Sequence, residues 1–577
     1  MGSASCLVFG ADKVITRFDF EAGTASWVEA TTCQGRLLLP ESGFVDIMLL
    51  AGCVPFLLPA IPEADVEGSR AIQVARSLVA PFNGDGYAML LRPGQQDVDK
   101  DYVEAFKKAR FAVRHAIYML YNGLVVLRQQ DKAPGDAHDF NGRRLPDELY
   151  KYLWRGLIGS RVLSWCATGQ IVEIPPLDGG NSQPYMDLIQ NKLVDLRQQS
   201  LAVIAAPLHR YFQFQKLDVS TWFSDEVTQL SFNERTEAAK TARGKWLVQT
   251  DSLSEDMAIR PLTAALSYLS DTEKAKSTTS KNGKTDNGLL SQKVEVLANA
   301  TFHFLQDTGF VGADHNLTMW GKALKIALDR AKENGAADEA VTPTEIDEAL
   351  FMAFQLLKLR ILNTHNLFPT TSFSGAPLRG TDTDKAVSGR YTRRRIDWML
   401  KLLQNTLLIS RIASLAYVRH VAIGYTGPLS RHLLAYHQMA ATVRASLRDL
   451  LEVHATSLCL SGLVVRQSEV QKPKVLTDLG AALPFTREPD LGLALVVKSY
   501  LDELSNDAAK RSDISKWFNY VTDLDGDLQK AWRIWDAINA GVQGAEEGVA
   551  NATTKGVFSG ADDWLKEKKA AATNGAV

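Results

Sequence analysis

Little in this chain of 577 residues points to secretion, metal binding or covalent catalysis. Its five cysteines, at 6, 33, 53, 166 and 459, are scattered without a C-x-x-C pair. That pattern argues for a reducing compartment and against a zinc site. The 64 basic and 66 acidic residues leave a net charge of −2, so no overall field draws the chain toward nucleic acid or membrane, although a local patch is compatible with it. The first residues lack the basic and apolar stretches of a secretory signal. Met1-Gly2 would suit myristoylation, but Cys6 stands where that modification wants Ser or Thr. The apolar run from Phe44 to Ile61 contains Asp46, Pro55 and Pro59, which suits a buried helix and a loop rather than a membrane span. Gly84-Asp85-Gly86 lacks the spacing of a phosphate loop, and Asp523-x-Asp525-Gly526-Asp527 lacks the Gly and Glu positions of a calcium loop. His432 and His437, five apart, do not share a helix face as zinc ligands would. No Ser/His/Asp or Cys/His nucleophile set and no fixed-period repeat can be assigned.

What is there is an ordinary globular composition, 46% hydrophobic and 23% charged, in a chain long enough for two to four domains. The first 30 residues read as strands, with Thr16, Phe18 and Phe20 alternating with Arg17 and Asp19. A helix is expected from about Ser42 to Ala51, stopped by Gly52, and a short one over Ala71 to Val79. A long helix is expected over Val103 to Leu127, from apolar residues at helical spacing. Helices follow from Leu145 to about Thr168 and from Met186 to Trp222, separated by the rigid turn Pro175-Pro176-Leu177-Asp178-Gly179-Gly180. Residues 271–287 have no large apolar side chain and read as a linker or loop tip. Beyond them the pattern is almost wholly helical to about Ala540, with a polar gap from Gly375 to Gly389. The tail from Gly544 is small and polar, with one amphipathic patch at Trp564-Leu565.

Two segments carry a resemblance. Ser5-Cys6-Leu7-Val8-Phe9-Gly10 resembles the strand of the FEN/XPG structure-specific nucleases, in which a D-x-D pair stands just before C-L-x-F-G. Residues Gly43 to Val54 resemble that family's F-V-D-x-x-x-L-x-G-x-D helix. Ser3, Ser5 and Val54 then occupy the positions of metal-binding aspartates. Two-metal cleavage needs several carboxylates, so the resemblance implies a degenerate, non-catalytic PIN/FEN-like domain with no metal and no cofactor. Asp46 is the acidic residue of the pattern that survives. It reads either as a remnant of the metal shell or as a buried, hydrogen-bonded aspartate, and one carboxylate cannot hold two metals. Glu67-Gly68-Ser69-Arg70 stands where XPG-like proteins carry a backbone-gripping G-x-G hairpin. With one Gly it reads as a plain turn before a helix.

The order of later motifs is more specific: Arg144-Leu145-Pro146-Asp147-Glu148-Leu149-Tyr150, Arg155-Gly156-Leu157-Ile158-Gly159, Ile174 to Gly180, Leu208-His209-Arg210-Tyr211, Val219 to Phe223, Gly309 to Asn316, Asn363 to Leu367 and Ile423 to Leu429. This succession resembles the fungal maintenance-of-killer-toxin family of post-transcriptional regulators over nearly the whole chain. That family begins with the first half of the nuclease domain, and this chain starts after it. An N-terminally incomplete domain with an unpaired strand edge near residue 5 is therefore expected.

The densest basic cluster is Arg390, Arg393, Arg394, Arg395 and Lys401, with Tyr391 and Trp398 among them. It suits an RNA-phosphate patch with stacking aromatics, a solvated helix face, or a dock for an acidic partner.

The expected architecture is mainly α. A small α/β remnant of the nuclease-like domain covers 1–130. An N-type helical region covers 140–270, a linker 271–287, a C-type helical region 288–545, and a polar tail 546–577. The resemblance implies a scaffold that joins an ataxin-2-like protein, and through it poly(A)-binding protein, on cytoplasmic messenger ribonucleoprotein, polysomes, stress granules or P-bodies. The apolar run interrupted by Asp46, Pro55 and Pro59 argues against membrane association, and the basic cluster allows at most a weak RNA contact. The alternatives are an active structure-specific Mg-dependent nuclease and a direct RNA-binding module.

Overall fold

A computed structural model describes residues 4–19, 22–52, 68–92, 100–120, 123–133, 143–174, 183–236, 255–271, 289–335, 343–362, 404–417, 424–427, 430–465, 471–489, 491–505 and 523–574, with a few isolated positions between them. It is 65% helical and 10% strand, so the mainly α expectation holds. The chain forms two compact units, Met1–Lys151 and Tyr152–Val577.

The first unit is built around a short helix that is apolar on every side. Helix α1 is Ala30–Leu37 and α2 is Glu41–Leu50. Every residue of α2 from Gly43 to Leu50 is buried, because all but Asp46 are apolar or glycine. Helices α3 (Gly68–Val79), α4 (Gly86–Leu90) and α5 (Lys100–Arg114) wrap it, and α5 buries Phe106, Ala109 and Val113 along one stripe. Gly68 opens α3, as a plain helix start would.

An antiparallel hairpin, β1 (Lys13–Asp19) and β2 (Thr24–Glu29), sets Val14 and Val28 toward the core. A bulge between Ile15 and Arg17 shifts the register, which turns Phe18 to the same face as Ile15 and Trp27. The strand expected over Ser5–Gly10 is instead a tight turn. Val8 N bonds Ser5 O at 3.0 Å, Gly10 N bonds Leu7 O at 3.1 Å, and Gly10 takes a φ of 93°. Leu7 and Val8 still reach the core from that turn, so the apolar run is explained without a strand. The long helix expected over Val103–Leu127 stops at Arg114. The remainder is a hairpin, β3 (Ile117–Met119) and β4 (Val125–Leu127), closed through Gly123 at φ 84°. Apolar residues at helical spacing continue past Arg114, but the left-handed Gly123 and β-branched Val125 and Val126 favour a turn and strand there.

Helix α6 (Asp147–Trp154) spans the division of the chain. The helix expected over Leu145–Thr168 is broken after it, because Gly156 takes a φ of 72°, and it resumes as α7 (Ser160–Thr168). Strand β5 (Gln170–Glu173) pairs in parallel with β6 (Leu217–Thr221), which pairs antiparallel with β7 (Ser224–Leu230), giving the order β5-β6-β7. Between β5 and β6 lie α8 (Gln183–Asp187), a π turn at Leu188–Lys192, α9 (Val194–Ala205) and the short α10 (Arg210–Phe214). Helices were expected to run to Trp222, but Leu217 to Thr221 alternate as a strand and pair with β5.

Then follow α11 (Pro261–Ser270), α12 (Lys293–Asp307), α13 (Met319–Glu333) and α14 (Pro343–Lys358). Residues 404–413 are helical. The 30-residue α15 (Arg431–Leu460), α16 (Pro473–Ala482), α17 (Gly492–Ser505), α18 (Leu524–Gln543) and α19 (Ala552–Asn574) complete the unit. The expected polar tail is largely α19. It buries Phe558, Ala561 and Leu565, and Asp562 accepts a hydrogen bond from Trp535 Nε1 at 2.9 Å.

Within the second unit, residues of the regions 140–270 and 288–545 pack against each other. Helix α9 lies along α15, Ser457 Oγ bonds Val203 O at 2.9 Å, and the Tyr185 and Thr442 hydroxyls meet at 3.1 Å. Of the linker 271–287, Asp271 alone lies within the described residues.

Candidate functional site

Asp46 sits in α2 with no exposed surface. Its Oδ2 accepts the Gly86 amide at 2.9 Å, at the start of α4. Its Oδ1 lies 2.9 Å from Arg110 Nε and 4.0 Å from Arg114, both on α5. Asp85 caps α4 by accepting the Tyr87 and Ala88 amides, and it pairs with Arg110 at 3.3 Å. One carboxylate thus ties α2, α4 and α5 together. Burial raises its pKa from 3.8 to about 6, against the pull of Arg110, the Gly86 amide and Arg114.

Of the two readings of Asp46, the geometry supports the hydrogen-bonded aspartate. The positive charge beside it is guanidinium. A Cβ on Gly86 would stand 3.0 Å from Asp46 Cβ and 3.1 Å from Phe106, so the glycine permits this approach. Ser5 lies half-buried in the N-terminal turn. Ser3, Val54, Arg390, Arg393, Arg394, Arg395 and Lys401 lie outside the described residues.

The second unit is organised by buried ion pairs that the sequence reading missed. Arg444 on α15 pairs with Glu348 on α14, donates to the Tyr417 hydroxyl at 2.6 Å, and donates through Nε to Arg487 O at 3.0 Å. Glu348 also accepts the Phe485 amide at 2.8 Å. Burial pushes the Glu348 carboxyl and the Tyr417 hydroxyl above their usual ranges, while Arg444 opposes both shifts. The clamp holds the loop after α16, where Phe485 takes the left-handed φ of 68°. A small cavity beside it, lined by Met352, Ser414, Leu415, His437, Ala441 and Pro489, has enclosed room for about one water.

A second node joins α7 to α15. Arg161 Nε donates to Asp449 at 2.7 Å, and Glu452 accepts the Gly159 amide at 2.6 Å at the start of α7. Burial raises the Asp449 carboxyl to about 6, opposed by Arg161. Elsewhere Asp347 accepts from Thr263 at 2.6 Å and from Arg260 Nε at 3.2 Å, and Arg197 pairs with Glu173. Such pairs are weak evidence for stability but fix which helices meet. The sequence signal for them was Arg444, Arg448 and Glu452, at successive four-residue steps on the longest helix.

These features define a large, mainly helical protein in which buried ion pairs tie helices together. Residues 134–223 and 303–567 match the N-type and C-type models of the MKT1 family, described as a temperature dependent protein affecting M2 dsRNA replication. The chain belongs to this family. It is 25% identical to the post-transcriptional regulator MKT1 of Cryptococcus neoformans, across 98% of this chain and 76% of that protein. It is 22% identical to the post-transcriptional regulator mkt1 of Schizosaccharomyces pombe, across 94% and 72%. Identity to the post-transcriptional regulator MKT1 of Saccharomyces cerevisiae is 23%, across 67% and 45%. No solved structure matches the chain. The relatives' names support a regulatory role.

Proposed function

We propose that the chain is a non-catalytic scaffold in post-transcriptional regulation. It works within messenger ribonucleoprotein by holding an ataxin-2-like partner that contacts poly(A)-binding protein. Its place is the cytoplasm, on polysomes, stress granules or P-bodies. The observation that carries this reading is the setting of Asp46. The acid best placed to survive from a nuclease site is buried against Gly86 and Arg110, where it joins helices instead of facing substrate. Ser5, and in sequence Ser3 and Val54, offer none of the carboxylates that two-metal cleavage requires.

Two measurements test the reading. The purified chain is incubated with 5′-flap DNA and single-stranded RNA in Mg²⁺ or Mn²⁺. No specific cleavage is expected, and cleavage lost in Asp46→Ala with the fold retained would replace the scaffold by a nuclease. A tagged chain is then used to capture an ataxin-2-like protein with and without RNase. Capture that survives RNase supports a protein-held complex. Capture that RNase abolishes favours the direct RNA-binding module, with Arg390, Arg393, Arg394, Arg395 and Lys401 as its first candidates.

A further inference from the structure

Helix α19 packs on α17 and α18 and covers two tryptophans of α18 with one of its faces. Phe558 stacks on Trp535, with ring centres 5.7 Å apart and planes 6° from parallel. Asp562 accepts the Trp535 Nε1 hydrogen, and Lys569 Nζ lies 5.1 Å from the centre of the Trp532 ring. Ala561 and Leu565 are buried with Phe558. Steps of three and four residues put all five positions on one stripe of the helix. The surface beneath is aromatic. Trp535 is 1% and Trp532 7% exposed, and Tyr500 of α17 lies 6.0 Å from Trp532. A folded protein rarely leaves such a patch open to water.

The helix that fills this groove is weakly built. Asn551 caps its first turn through the Thr554 amide, so the weakness lies in its body. Gly556 and Gly560 share the opposite stripe with Asp563 and Glu567, and all four are exposed. A Cβ on either glycine would meet nothing within 4 Å among the described residues. Glycine weakens a helix interior relative to alanine, and here no close approach or left-handed φ calls for it. The groove offers strong contacts to a helix that forms poorly by itself.

We propose that the α17–α18 groove is the docking site for an amphipathic helix of a partner protein, and that α19 blocks it until the partner displaces it. The contacts of α19 specify that helix. It carries an aromatic residue, a small residue three positions on, a carboxylate at four for Trp535 Nε1, a leucine at seven and a cation at eleven over Trp532. Helix formers in place of the two glycines give it the advantage it needs over a tethered competitor. A second copy of this chain would bring the same glycines and gain nothing over the helix already seated, which favours a different partner. Spaced anchors of this kind supply selectivity in helix-in-groove recognition. The proposal supplies a partner surface for the scaffold reading and rests on it.

The test uses the full-length chain and a fluorescein-labelled peptide of residues 552–574 with Gly556→Ala and Gly560→Ala. A control peptide adds Phe558→Ser and Leu565→Ser. Binding is followed by anisotropy, and hydrogen exchange of the chain's own α19 by mass. Two variants of the chain bracket the strength of the block. Gly556→Ala with Gly560→Ala strengthens α19 from its outer stripe, and Leu565→Ala weakens it. Neither changes a residue of α17 or α18.

The peptide should bind the wild type and speed exchange in α19, while the control peptide does not bind. Affinity should fall by about tenfold in the glycine variant and rise by about tenfold or more in Leu565→Ala. No binding to the wild type or to Leu565→Ala, equal binding by all three chains, or binding with α19 exchange unchanged would overturn the proposal. A wild-type dimer that the unlabelled peptide dissolves would also overturn it, by assigning the groove to a second copy. Failure of the titration while RNase-resistant capture persists would remove the groove and leave the scaffold reading standing. Loss of that capture with the titration as expected would do the reverse.

Discussion

Replacing Asp46 with asparagine should reverse part of the pH dependence of the first unit's stability. The carboxyl has a pKa of about 6 in the folded chain against 3.8 as its ordinary value, mainly because burial disfavours its charge. A folded pKa above the unfolded one means that the native state binds the proton more tightly. The resulting stability is fully present below pH 3.8 and is lost as pH rises through 6. At 1.36 kcal/mol per unit, the gap corresponds to about 3 kcal/mol lost between pH 4 and 7. Arg110, at 2.9 Å, reduces that penalty without cancelling it. The asparagine side chain would keep an oxygen for the Gly86 amide and carry no titrating group. Its NH₂ group would face Arg110, whose partly exposed side chain can turn toward water. The difference in stability, wild type minus Asp46→Asn, should therefore fall by about 3 kcal/mol from pH 4 to pH 7. Hydrogen exchange of the α2 amides, corrected for its intrinsic pH dependence, measures this locally. A difference that stays flat or grows with pH would show that the ion pair outweighs the burial of charge.

Packing gives a paired test on glycines. A Cβ at Gly321 would stand 2.1 Å from Phe310 O, so Gly321→Ala should destabilise the second unit by roughly 2 kcal/mol or more in thermal melts. Gly556, in α19 with open space around it, should tolerate alanine and gain up to about 1 kcal/mol in the same assay. Arg444→Met should cost about 3–5 kcal/mol by leaving Glu348 buried without its cation, and adding Glu348→Leu should restore part of that in urea titrations. Leu565→Ala should cost about 2–4 kcal/mol and speed proteolysis of α19, because the side chain is 3% exposed.

The mainly α class was legible, because apolar residues recur at helical spacing over most of the chain. Asp523 caps α18 by accepting the Gly526 amide at 2.9 Å, a cap the sequence reading did not assign. The misses came where periodicity continued across a change of structure. Past Arg114 the apolar spacing runs on, but Gly123 and two valines turn it into a hairpin. Past Phe214 the chain pairs with β5, a partner more than 40 residues upstream that no local window contains. In the tail, the many small residues of α19 obscured the stripe Phe558, Ala561 and Leu565, which is apolar only relative to its neighbours. At the candidate site, sequence singled out Asp46 but could not supply Gly86 or Arg110, which reach it from 40 and 64 positions away.

The balance of 64 basic and 66 acidic residues suggests a chain without electrostatic purpose, yet the charges are unevenly used. Asp347, Glu348, Asp449 and Glu452 are buried, and each meets an arginine from another turn or another helix. Removing one partner leaves an uncompensated charge, so these pairs penalise alternative helix arrangements even where they add little stability. Two of them, with the Val203–Ser457 and Tyr185–Thr442 contacts, join or stand beside the seam between the two family-matched regions. The parts of both regions that fall in the second unit thus pack against each other, and substitutions at that seam should act through stability.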